Sequence, residues 1–156
     1  MSRGVVVIGV GNAFRGDDAA GLAIADRVVD LGQQNGIEVL SHAGESLGLL
    51  ELWTGATAVL LAESIWSGVA PGTIVRVDAS SDQVPSAFEG FSSHAFGIAQ
   101  AVELSRTLGT LPPTAVVFGV EGASYELGAP LSQPVLAAID SAADLVRRCA
   151  LALVAP

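Results

Sequence analysis

Apolar positions in this chain come in two rhythms. Val5 to Val10 is an unbroken β-rich run, the pattern of a strand buried on both faces of a parallel sheet. Gly9, Gly11 and Gly16 then punctuate a loop. The spacing beyond it predicts a helix from about Asp17 to Leu31, with Leu22, Ala25, Val28 and Val29 turned inward. The cycle repeats with a strand at Ile37 to Leu40, a short helix at Ser46 to Trp53 carrying Leu47, Leu49 and Leu50, and a third strand at Ala58 to Ala62.

From there the chain passes Trp66, Gly68, Pro71 and Gly72 into a strand at about Thr73 to Val77. That link is too short for a parallel crossover, so the fourth strand is expected to run antiparallel to the third. A polar loop follows from Asp78 to Ser93, then a helix from His94 to Leu108 capped by Ser92 or Ser93. Pro112 and Pro113 close that connection, and Thr114 to Val120 is the fifth strand. A last helix begins after Ser132 and Pro134 and carries an Asp144–Arg148 pair at i, i+4. The order βαβαββαβα predicts one three-layer α/β domain over residues 1–156. Its five-stranded sheet is mixed and mostly parallel, with helices on both faces. Ligands of such sheets bind outside the carboxyl ends of the strands.

Composition narrows the partners. Of the 156 residues 51% are hydrophobic and only 15% charged, which describes a packed globule and not a disordered chain. The net charge of −9 repels phosphate backbones and argues against nucleic acid. No uncharged apolar run reaches the roughly 18 residues of a membrane helix. The start, Arg3 followed by Val5 to Val10, has a superficial likeness to a signal peptide, but it runs into Arg15, Asp17 and Asp18 and reads as the first strand. The single cysteine, Cys149, falls on the stripe Val135, Ile139, Ala142, Val146, Cys149, Leu153, as a small core residue would. One cysteine suits a reducing cytoplasm.

Chemistry gathers on the strand-end loops. The loop Gly9 to Asp18 has Phe14 where a dinucleotide fingerprint needs glycine, and it opens its helix with two acids that would repel a pyrophosphate. No lysine follows, so it is not a P-loop. It reads as a loop that delivers carboxylates: Asp17 as a helix cap, Asp18 as a functional acid. Glu63 ends a central apolar strand, where a charge is costly unless solvated, paired or bound to a cation. His94 and His42, the two histidines, are expected at the same edge. Two carboxylates and an imidazole suit a divalent metal such as nickel or zinc. Glu45 and Glu121 are expected nearby and solvated. Trp53 and Trp66 are expected beside the cleft, Trp66 lining a substrate groove.

Val7-Ile8-Gly9-Val10-Gly11-Asn12 followed by Gly16-Asp17-Asp18-Ala19-Ala20-Gly21 resembles the opening motif of the hydrogenase maturation endopeptidases. Similarities continue in order through Ala62-Glu63-Ser64, Ala70-Pro71-Gly72-Thr73, Ser93-His94-Ala95-Phe96-Gly97 and Phe118-Gly119-Val120-Glu121. The resemblance implies removal of a short carboxyl-terminal extension from the nickel-iron hydrogenase large-subunit precursor after nickel insertion. Nickel would arrive in the substrate, with zinc or another divalent cation able to take its place. Carried over by position, the family's metal-binding residues fall on Asp18, Glu63 and His94, with Asp18 or Glu63 as the general base for water. Glu63 stands where the family usually carries aspartate, and His42 where a small or acidic residue is expected, so His42 is a possible extra ligand. These two departures favour the competing reading, a non-catalytic, metal-responsive binding or chaperone-like relative. Absence of a G-x-S-x-G elbow and of a nearby cysteine disfavours covalent catalysis.

Overall fold

The computed structural model describes residues 3–33, 36–43, 46–88 and 97–156. Five strands form one sheet: β1 (Arg3–Val10), β2 (Ile37–His42), β3 (Ala56–Ile65), β4 (Ile74–Asp78) and β5 (Thr114–Glu121). Their order across the sheet is β2-β1-β3-β5-β4. The first four neighbours in that order are parallel, and β4 pairs antiparallel with β5. The expected reversal of β4 is therefore present, but β5 lies between it and β3.

Among the described residues four α-helices cover the faces: α1 (Ala20–Arg27), α2 (Ser46–Trp53), α3 (Ile98–Leu108) and α4 (Gln133–Val154). Side chains alternate across each strand. Val5, Val7, Leu60 and Phe118 meet Ala20, Ile24, Ile139 and Val146 of α1 and α4 on one side. Val6, Ile8, Leu61 and Val117 meet Leu49, Trp53, Ile98 and Val102 of α2 and α3 on the other. Burial on both faces is why β1 and β3 read as continuous apolar runs and not as alternation.

Several expectations need correction. The predicted helix over 17–31 is three pieces: a 3-10 turn at Gly16–Ala19, α1, and a second turn at Val29–Gln33. Its buried face is Ala20, Gly21, Ile24, Ala25, Val28 and Leu31, whereas Leu22 is half-buried and Val29 is exposed. Small residues face inward because the helix lies almost against the strands. A methyl group on Gly21 would collide with the carbonyl oxygens of Ala62 and Val10. Helix α3 starts at Ile98, four residues later than expected, with Gly97 as its extended N-cap. Ser92, Ser93 and the predicted helix start at His94 lie outside the described residues, as does the side chain of Leu47.

Trp53 is fully buried, and its Nε1 donates to Ser105 Oγ at 2.8 Å. It ends α2, just before β3 begins, and so lies at the opposite edge from the strand ends. Cys149 is half-buried against the α1/α4 core as expected, whereas Leu153 is largely exposed. The Asp144–Arg148 pair forms at 2.9 Å.

Candidate active site

Strand β1 has β2 on one side and β3 on the other, so the chain changes its direction of travel across the sheet at β1/β3. Crevices that hold ligands open at such points. Asp18 and Glu63 stand there, one after β1 and one near the end of β3.

The loop after β1 is held by its own backbone. Gly11 N donates to the His42 carbonyl at 3.1 Å, and Asn12 Oδ1 accepts from Phe14 N at 2.9 Å. Position 11 must be glycine because a Cβ would meet the Asp18 carbonyl oxygen. The two adjacent aspartates then diverge. Asp17 is fully buried and accepts four hydrogen bonds, from Ala123 N (2.7 Å), Ser124 N (3.0 Å), Ser132 N (2.7 Å) and Ser132 Oγ (2.8 Å). Burial raises its pKa, but those donors outweigh burial and hold the carboxyl below its usual value. It makes no helix-capping bond and instead ties the β1 loop to residues 123–132, so the expected cap is a clamp.

Asp18 is half-buried. Its Oδ2 accepts from Asn12 N at 3.2 Å, and Ser64 Oγ approaches Oδ1 at 3.5 Å. Burial pushes its pKa up against the pull of Asn12, Ser64 and Arg15. Glu63 is 6% exposed, and its Oε1 is buried without a hydrogen-bond partner among the described residues. Burial first, and the charge of Asp18 second, raise its carboxyl well above the usual range. An unpaired buried carboxylate oxygen costs stability unless it is protonated, paired or bound to a cation. The carboxylate donors present therefore fit a divalent metal.

Glu121 is buried, contrary to expectation. It accepts from Ser67 N at 3.0 Å and from Ser67 Oγ at 2.5 Å, which anchors the β3–β4 loop. Trp66 on that loop is 56% exposed and meets the Tyr125 ring edge-on, with centroids 5.4 Å apart. Tyr125 donates to the Ile65 carbonyl at 2.9 Å, and burial pushes its hydroxyl up to about 12. No periodicity or motif marked Tyr125, whose position depends on the fold of residues 122–132. Ser64 was legible only as the neighbour of Glu63. His42 ends β2 and lines a cleft beside the Asp18 loop. Among the described residues no three His, Cys, Asp or Glu side chains converge as a metal site; His94 and Glu45 lie outside those residues.

Residues 28–148 match the hydrogenase maturation protease family, HycI. The chain belongs to that family. Its fold is similar to that of the hydrogenase maturating endopeptidase HybD from E. coli, with 27% identity over 93% of this chain and 90% of that one and a TM-score of 0.78. The solution structure of an endopeptidase from Escherichia coli is similar at 28% identity, covering 94% and 91% of the two chains with a TM-score of 0.79. A [NiFe] hydrogenase maturation protease HycI from Thermococcus kodakarensis KOD1 shares the fold at 21% identity, over 94% and 92%, with a TM-score of 0.69. No curated protein matches the sequence. Membership makes the chain a peptidase; the β1/β3 crevice is its candidate active site on the geometry described above.

Proposed function

We propose that this protein is the endopeptidase that removes the carboxyl-terminal extension of a nickel-iron hydrogenase large-subunit precursor after nickel insertion, in the cytoplasm. The observation that carries the reading is the buried Oε1 of Glu63, without a partner among the described residues, beside Asp18 at the switch point of the sheet. Nickel is part of the substrate here. Glu63 and His94 would meet it together with Asp18, with His42 as a possible further ligand; zinc or another divalent cation could stand in for it. A metal held by these residues would supply positive charge to polarise a carbonyl and neutralise the acids.

The residues divide the work by their surroundings. We assign Asp18 the role of accepting a proton from the attacking water, a reading supported by its orientation by Asn12 N and the approach of Ser64. Glu63 offers its unpaired oxygen to the cation.

Asp18→Asn and Glu63→Gln are expected to lower kcat/KM for cleavage of a nickel-loaded precursor by about 10²- to 10⁴-fold. Product is read as the shortened subunit on a gel. A stable complex without any shortened product from the wild type would instead favour the non-catalytic relative. Glu63→Gln should not unfold the protein. A raised carboxyl favours the folded state at low pH, and that contribution is lost as pH rises through the folded value, so ionised Glu63 destabilises the metal-free protein. The amide removes this penalty, and the melting temperature at neutral pH should stay level or rise.

A further inference from the structure

The two most exposed large hydrophobic side chains among the described residues are Phe14, at 76%, and Leu127, at 69%. They are far apart in sequence, yet their loops are bonded to each other. Gly128 N donates to the Phe14 carbonyl at 2.7 Å, and Gly16 N donates to the Ala129 carbonyl at 3.1 Å. Leu127 stands at the corner of a turn closed by Ala129 N donating to the Glu126 carbonyl at 3.1 Å, and Phe14 N donates to Asn12 Oδ1 at 2.9 Å. The Asp17 clamp to Ser124 and Ser132 joins the same two loops.

A third loop adjoins them. Trp66, between β3 and β4, meets Tyr125 of the Leu127 loop edge-on, and its neighbour Ser67 is held by buried Glu121. Trp66 and Val69 on this loop are exposed as well. The three loops leave β1, β3 and β5 at the end of the sheet where Asp18 and Glu63 stand, so these side chains rim the crevice. Two buried carboxylates, Asp17 and Glu121, thus fix loops whose large apolar groups stay in water. Fixing a loop without covering those groups gains nothing for the fold. It prepares them for a partner, because little conformational freedom is lost on contact.

We infer that this rim, with Phe14 and Leu127 as its anchors, docks the folded body of the hydrogenase large-subunit precursor, the part retained after the cut. The inference rests on the endopeptidase reading, which brings that partner to Asp18 and Glu63. A standard interface covers about 800 Å² of each partner, so a folded chain whose cut site reaches the crevice also covers its rim. Shape separates the body from the extension. Side chains this exposed stand out from the surface and need hollows in a folded partner, whereas an extended tail is gripped in a groove. Charge separates the body from a second copy of this chain. Self-association through the rim would set two chains of net charge −9 against each other, with their acidic crevices and exposed Glu126 side chains face to face.

The test measures binding of two nickel-loaded chains, the precursor and a version that ends at the cut, to the Asp18→Asn protein. In that background Phe14→Ser and Leu127→Ser are each expected to weaken binding of both chains about tenfold with the melting temperature unchanged. Leu127→Met, which keeps an apolar side chain, should restore most of the affinity. A loss confined to the full precursor would assign the rim to the extension, and unchanged binding would leave the rim without a role. Either result overturns the inference, as does failure of the shortened chain to bind, or a wild type that sediments as a dimer and that Leu127→Ser dissociates. Rim-dependent binding of both chains by a wild type that never shortens the precursor would overturn the endopeptidase reading and leave the docking surface standing.

Discussion

Two adjacent aspartates show how far neighbours in sequence diverge in role. Asp17 has no exposed surface and four donors around it; Asp18 is half-buried with one backbone donor and a distant hydroxyl. Asp17→Asn would turn an amide N–H₂ toward donors that need an acceptor. It should cost about 3 kcal/mol, measured by urea unfolding at pH 7. The pH dependence has a definite sign. A depressed carboxyl contributes stability above its ordinary value of 3.8, and that contribution is lost as pH falls through the lower, folded value. The variant should therefore lose less stability than the wild type on acidification below pH 3.8. The sequence marked both residues as important but read Asp17 as a cap, because its real donors lie 106 to 115 residues away. Glu121 was read as solvated for the same reason: its donors, on Ser67 and Gly68, come from a different loop.

At the scale of elements, the strands were the legible part. β1, β3 and β5 are buried on both faces, so their apolar runs identify them, and α2 has the limits its leucines suggest. Helix α1 was harder, since periodicity weights large side chains and this helix buries glycine and alanine. Its inward face was legible only through the strands it touches. Gly21→Ala is expected to push α1 off Val10 and Ala62 at a cost of about 1–3 kcal/mol. Because the Asp18 turn leads directly into α1, cleavage activity should fall alongside the melting temperature. Unchanged activity in a destabilised variant would show that the turn is positioned independently of the helix.

The whole molecule follows from the order of its elements more than from any single one. An alternating series of strands and helices predicted the three layers, and a short link predicted that β4 reverses. Pairing of β4 with β5 was not legible, because strand neighbours depend on which helix covers which face. Charge acts on this scale too. The sequence has 16 carboxylates against seven arginines, and Arg3, Arg27, Arg106, Arg147 and Arg148 are each paired with an acid on the surface. Such pairs contribute little individually, and the acids left over repel one another. Raising salt from about 0.01 M to 0.15 M should therefore raise the melting temperature, as the Debye length falls from about 30 Å to 8 Å. A lower melting temperature at 0.15 M would mean that the ion pairs outweigh the repulsion.

The clamp between Asp17 and Ser132 also sets an order of events during synthesis. Its partners are 115 residues apart, so this tether of the loop that carries Asp18 closes only after most of the chain has left the ribosome. A nascent chain holds the acids of the crevice long before it can hold them in place.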